Sequence, residues 1–254
     1  MVTLDEIRDE FLRLEKIRRN NNWSDPRDSD NYILATHEYS FGNRNYYKVL
    51  DENYQKYKDL QASRGIEDIV DQDVEEYLVT FEQSVYLLES KDKERINELD
   101  AVLDLDSIDC FVELGFRTPR LLNYWSSEKI GVKGYDVVKI NVMVSEYLGW
   151  DAEEYDLSLC EYPFEFEENS LIVSYHCFEH ICDPLMALHR VYSDMKSNSF
   201  FHIEVPIENQ VIPNLRYAHV QTFHSGDLES LLTEVGFEII NHSGGPDDRF
   251  LVKK

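Results

Sequence analysis

Apolar residues recur with two periods along this chain, and the period changes near Ser107. Before that point the spacing is helical. Leu4, Ile7, Phe11, Leu14 and Ile17 trace one stripe, and Thr3 with Glu6 has capping-box spacing, which predicts an amphipathic N-terminal helix. Tyr47, Leu50, Tyr54 and Tyr57 suggest a second helix, Val74, Leu78, Phe81, Val85 and Leu88 a third, and Ile96, Leu99 and Val102 a shorter fourth. Asn20 to Asn31 reads as a polar loop. Ile33 to Tyr47, with His37, Tyr39, Phe41, Arg44 and Tyr46, has no clean period and is either a substrate-covering segment or ordinary aromatic packing. Residues 1–103 are thus expected to form a helical extension and 104–254 the main domain.

After Ser107 short apolar runs alternate with helical ones. Strands are expected at Cys110 to Leu114, Tyr135 to Ile140, Tyr155 to Cys160, Leu171 to Ser174 and Phe200 to Val205, with Phe237 to Asn241 and Phe250 to Lys253 as a closing hairpin. Thr118 and Pro119 open a helix carrying Leu121, Leu122 and Trp125. Leu185, Leu188, Val191, Tyr192 and Met195 mark another, and Asp227 to Val235 a third that Gly236 ends in the left-handed conformation. Strands joined through helices form parallel crossovers, so the expected fold is an α/β, Rossmann-like sheet of five parallel strands plus an antiparallel hairpin. In such sheets ligands sit beyond the carboxyl ends of the strands, where His176, Cys177, Glu179 and His180 fall.

Composition narrows the partners. The 254 residues are 43% hydrophobic and 13% aromatic, as a globular chain requires. Fifty acidic against 25 basic residues give a net charge of −25, which repels phosphate backbones and anionic membranes, so nucleic acid is not an expected partner. No apolar run approaches the roughly 18 residues of a membrane span. Cys110, Cys160, Cys177 and Cys182 form no Cys-x-x-Cys pair and suit reduced thiols in a cytoplasmic protein.

The words themselves carry a resemblance. Phe111 to Pro119 (FVELGFRTP) after strand one, Tyr135-Asp136-Val137 at strand two and Tyr155-Asp156-Leu157-Ser158 at strand three come first. YHCFEHICDP after strand four and HVQTFHSGDLESLLTEVGFEII at the close follow in order. Together they resemble the class I S-adenosylmethionine-dependent methyltransferases over Ile108 to about Ile240. The resemblance implies cofactor contacts from Glu113, Gly115, Phe116, Arg117 and Tyr175. It also implies that Asp136 accepts the ribose hydroxyls, that Asp156 takes the adenine amino group, and that Leu157 lies against the ring. Arg117 and Pro119 stand where the family usually has its second and third glycine, which suggests a salt bridge from Arg117 to the cofactor carboxylate. Leu171 replaces an acidic residue often found in strand four.

His176, Glu179 and His180 have the spacing H-x-x-E-H, and positions i, i+3 and i+4 in a turn entering a helix can share a face. Two imidazoles and a carboxylate can hold a divalent ion, manganese or magnesium, with open positions for a substrate hydroxyl. Some relatives of this type, the ubiquinone-pathway O-methyltransferases and the small-RNA end methyltransferases, place a metal on a similar word. His219 or His224 could add a ligand. Without metal, the same three residues are candidates for general-base catalysis, or simply hold the loop by hydrogen bonds.

The expected function is methylation, of oxygen in preference to nitrogen, on a small molecule, sugar or glycan precursor. The N-terminal residues and the loop IENQVIPNLRYAHVQTFH would shape the acceptor pocket. A methyltransferase-like interaction protein that has lost its cofactor is the alternative. The N-terminal apolar stripe permits either homodimerisation or packing on the sheet.

Overall fold

A computed structural model describes residues 88–254 except 128–129, 161, 182, 209–218 and 220, together with residues 2, 3, 5–7, 9, 10 and 13. The second and third expected helices, the Ile33 to Tyr47 segment, Cys182 and Arg216 lie outside the described residues.

Seven strands form one sheet in the order β3-β2-β1-β4-β5-β7-β6. They are β1 (Cys110–Leu114), β2 (Gly131–Asp136), β3 (Asp151–Glu154), β4 (Ser170–Tyr175), β5 (Phe200–Pro206), β6 (Glu238–Ser243) and β7 (Asp247–Lys253). The first five run parallel, and β7 enters antiparallel between β5 and β6. The expected Rossmann-like sheet with its antiparallel hairpin is what forms. After β1 the chain winds outward to β3 and then returns to β4 on the other side of β1. That reversal opens a crevice at the carboxyl ends of β1 and β4, where α/β sheets place their ligands.

Alternation along the strands divides two apolar layers. Ile172, Phe201, Ile203 and Val205 face Leu188 and Val191 of α4 (Pro184–Asp194) and Leu228 and Leu232 of α5 (Asp227–Val235). Phe111, Leu171, Val173 and Leu251 face Ile96 and Leu99 of α1 (Ser90–Val102) and Leu122 and Trp125 of α2 (Arg120–Ser127). The N-terminal capping box is present, with the Thr3 amide donating to Glu6 at 2.8 Å and the Glu6 amide to Thr3 Oγ1 at 3.3 Å. Ile7 packs on Ile140 and Val144 of α3 (Lys139–Tyr147).

Two strand expectations are corrected. The second strand is Gly131–Asp136, so Val137 and Val138 lie beyond it and Ile140 belongs to α3. The third is Asp151–Glu154, and Tyr155 to Cys160 form the turn after it. The closing helix ends at Gly236 with φ 106°, left-handed as expected.

Candidate active site

The β1 turn is built around two left-handed backbones, Gly115 (φ 77°) and Arg117 (φ 47°). A Cβ on Gly115 would stand 2.5 Å from Cys177 Sγ, so glycine here lets the β4 turn close against the β1 turn. Arg117 holds a conformation that glycine adopts without cost, a local strain in the turn. Its side chain is exposed. Phe116 turns inward, buried against Gly134 and Leu122.

Glu113 is the next-to-last residue of β1, just before this turn. It is buried, and its Oε2 has no hydrogen-bond partner among the described residues. Burial pushes its carboxyl well above the ordinary range, and Asp92 nearby adds to the shift. Asp136, at the end of β2, accepts from the Arg117 amide and from the Val138 amide, each at 2.7 Å, and from Asn141 Nδ2 at 3.4 Å. Asp156 Oδ1 accepts from the Ser158 amide at 2.7 Å, a turn just past β3.

The H-x-x-E-H word brings both of its imidazoles to Glu179, but it does not make the expected three-residue ligand set: His176 falls with Glu204 and Asp247, and His219 takes its place beside Glu179 and His180. After β4, His176 takes a left-handed backbone (φ 52°) and residues Phe178–His180 make a single 3-10 turn. Glu179 is 1% exposed, and neither carboxylate oxygen has a hydrogen-bond partner among the described residues. Three imidazoles surround Oε1: His176 Nδ1 at 3.5 Å, His180 Nε2 at 3.9 Å and His219 Nε2 at 3.9 Å. Burial opposes ionisation of Glu179, but these imidazoles, His176 first, hold its carboxyl below the usual range. His219 arrives on a segment tied down by the Gln221 amide donating to the Glu179 carbonyl and the Glu208 amide donating to Phe223. Its other nitrogen, Nδ1, lies 3.1 Å from Glu208 Oε1.

A second charged cluster adjoins the first. Glu204 on β5, wholly buried, accepts from Arg95 of α1 and Arg249 of β7, and His176 Nε2 lies 2.9 Å from its Oε1. Arg249 also reaches Glu98 at 2.6 Å, and Arg95 and Arg120 reach Asp92 at 3.2 and 3.0 Å. Lys91 binds Asp247 at 2.8 Å and comes within 3.4 Å of His176 Nε2. Burial works to lower the His176 pKa, yet Glu179 and Glu204 prevail and it is pushed up to about 9.

Two carboxylate and imidazole groups therefore have spacing suited to a cation: Glu179, His180 and His219, and His176, Glu204 and Asp247. The second group is already neutralised by Arg95, Arg249 and Lys91. In the first, the ligand atoms lie within 4.8 Å of one another and Glu179 Oε1 stands 3.9 Å from each of the two imidazoles, spacings that a cation with bonds of about 2 Å would draw in.

Three sequence expectations change. His224 stands at the start of α5, its Nδ1 3.3 Å from Asp227, away from the cluster that His219 joins. Leu157 is buried in the core cluster with Tyr155, Cys160 and Phe164 rather than standing exposed. Tyr175 is engaged by the protein itself, its hydroxyl 2.7 Å from His202 Nδ1 and its ring under Arg95 at 4.1 Å. Sequence reasoning missed Glu204, Arg95, Arg249 and Glu208. The signal for Glu204 was an acid alternating with His202 inside an otherwise apolar strand.

No protein-family model matches the sequence, and no curated protein matches it. Solved structures do. A SAM-dependent methyltransferase from Archaeoglobus fulgidus aligns with a TM-score of 0.51 at 18% identity, over 70% of this chain and 100% of that one. The cyclase SpnF aligns with a TM-score of 0.50 at 14% identity, over 63% of each chain. Human N-acetylserotonin methyltransferase, solved with SAM, gives 0.47 at 15% identity over 61% of this chain. The chain spans about half of that protein's length, 50%.

Proposed function

We propose that this chain, which has the fold of the class I S-adenosylmethionine-dependent methyltransferases, methylates an oxygen of a small-molecule, sugar or glycan-precursor acceptor with help from a divalent cation. The observation that carries the reading is Glu179, a buried carboxylate whose oxygens have no hydrogen-bond partner among the described residues, ringed by imidazoles at the mouth of the β1/β4 crevice. The His176 imidazolium offsets part of that buried charge, and a cation held with His180 and His219 would offset more.

The residues present fit the methyl donor at its amino-acid end. The buried Oε2 of Glu113 needs a donor, and the α-ammonium of S-adenosylmethionine is one. Asp136 would take a ribose hydroxyl beside the amides it already accepts from, and Asp156 the adenine amino group. Arg117, exposed at the turn, would meet the carboxylate. When bound, the donor supplies a methyl on a positively charged sulfur for in-line transfer.

Glu179, His180 and His219 would hold manganese or magnesium, whose Lewis acidity lowers the pKa of an acceptor hydroxyl. His176 is a poor general base at neutral pH because it carries its proton there. Its part is to neutralise Glu204 and Glu179 and to fix the turn. His180, only partly buried, would act on the acceptor through the cation it helps to hold, and the acidified hydroxyl would pass its proton to solvent.

Release of S-adenosylhomocysteine, measured across neutral sugars and phenols with manganese and with chelator, tests the reading. Activity is expected to depend on the metal and to be lost in His180→Ala, which removes a ligand of the cation. Turnover indifferent to both chelator and His180→Ala would contradict it. One observation favours a non-catalytic protein instead: the Asp136 carboxylate is partly taken up by the chain's own amides, and Cys177 stands against Gly115. No turnover on any acceptor, with no donor binding, would select that reading.

A further inference from the structure

The two ring nitrogens of His219 face two different carboxylates. Nδ1 is 3.1 Å from Glu208 Oε1, a hydrogen-bond distance, while Nε2 is 3.9 Å from Glu179 Oε1, which is too long for one. His219 and Glu208 are both nearly enclosed, with side chains 10% and 12% exposed. If the proton of the neutral ring sits on Nδ1, donating to Glu208, then the lone pair of Nε2 confronts the Glu179 carboxylate. His219 and Glu179 then contribute, with His180, to the group of ligand atoms that lie within 4.8 Å of one another, a spacing that one cation between them would satisfy.

Resting on the metal reading above, we infer that Glu208 is the positioning residue of the site: it fixes the His219 tautomer so that Nε2 is presented as a ligand. A carboxylate behind a ligating imidazole both orients the ring and raises its basicity. The backbone supports the same geometry. The Glu208 amide bonds the Phe223 carbonyl and the Gln221 amide bonds the Glu179 carbonyl, so the carboxylate, the ring and the ligand turn are held as one unit. His176 lacks this support for ligation, since its Nε2 is directed at Glu204 and Lys91.

The test is titration of manganese alone into the full chain, wild type against Glu208→Ala and Glu208→Gln. Wild type is expected to bind. Glu208→Ala should weaken binding about 10- to 100-fold, the range for outer-shell partners of metal-bound histidines. Glu208→Gln, which keeps an acceptor but not the charge, should recover part of the loss. A purely structural role would instead lower Tm in chelator and the affinity for S-adenosylhomocysteine, both of which should stay at wild-type values. Manganese affinity unchanged in Glu208→Ala overturns the inference, whereas a wild type that binds no manganese overturns the metal reading itself. Should Glu208→Ala not fold, imidazole nitrogen-15 shifts of the zinc-loaded wild type decide. Protonated Nδ1 with metal on Nε2 supports the assignment, and metal on Nδ1 refutes it.

Discussion

Single side chains at the carboxyl edge are governed by what neutralises them. Glu204 collects two guanidiniums and an imidazole, so burial, which opposes its charge, is outweighed and its carboxyl is held well below the usual range. His202, one register step inward on the same face, shows the opposite balance. Burial first, then Arg249 and Arg95, lower its pKa to about 3, against the pull of Glu204. The unfolded chain therefore takes up a proton near pH 6.5 that the folded chain refuses until about 3. Stability from this site is complete above pH 6.5 and falls as the pH drops toward 3. Urea denaturation should show wild type losing stability more steeply than His202→Leu between pH 6.5 and 5, and parallel curves would refute this. At this scale the H-x-x-E-H word was legible because one local turn makes it. His219 and Glu208 were not, because their meeting with Glu179 depends on where a later segment returns. Of the two histidines in HVQTFH, the chain tucks in His219 and uses His224 at a helix start.

Elements were readable where burial is two-sided. β1, β4 and β5 are mostly apolar runs, and each was placed within a residue or two. β3, DAEE, is a short acidic edge strand with no apolar signal, and β2 begins with Gly131, Lys133 and Gly134, which read as a loop. The β-branched run Val137-Val138 drew the second strand too far along and hid the start of α3. Gly134 matters for a reason only packing reveals. A Cβ there would lie 2.7 Å from Phe116 and 2.8 Å from Leu122, between β2, the β1 turn and α2. Gly134→Ala is expected to cost about 1–3 kcal/mol by overpacking, measured by chemical denaturation, and to weaken donor binding by displacing Phe116. A variant of wild-type stability would show that the turn yields freely.

Across the whole molecule, the order of elements was enough for the sheet, because alternating strand and helix patterns leave few topologies. The charge of −25 was equally plain, but not its use: α1 and β7 set Glu98, Asp92 and Asp247 against Arg249, Arg95 and Lys91, tying α1 to the strand ends that frame the crevice. A fold does not fix an activity, and here the function is argued from Glu113, Asp136 and the Glu179 cluster. The most direct test is calorimetric titration of S-adenosylhomocysteine into the full chain, once with chelator and once with manganese. The account predicts micromolar binding in both runs, abolished by Asp136→Ala, with additional manganese-dependent heat that is lost in His180→Ala. No binding in either run would contradict it and leave the crevice to a non-catalytic role.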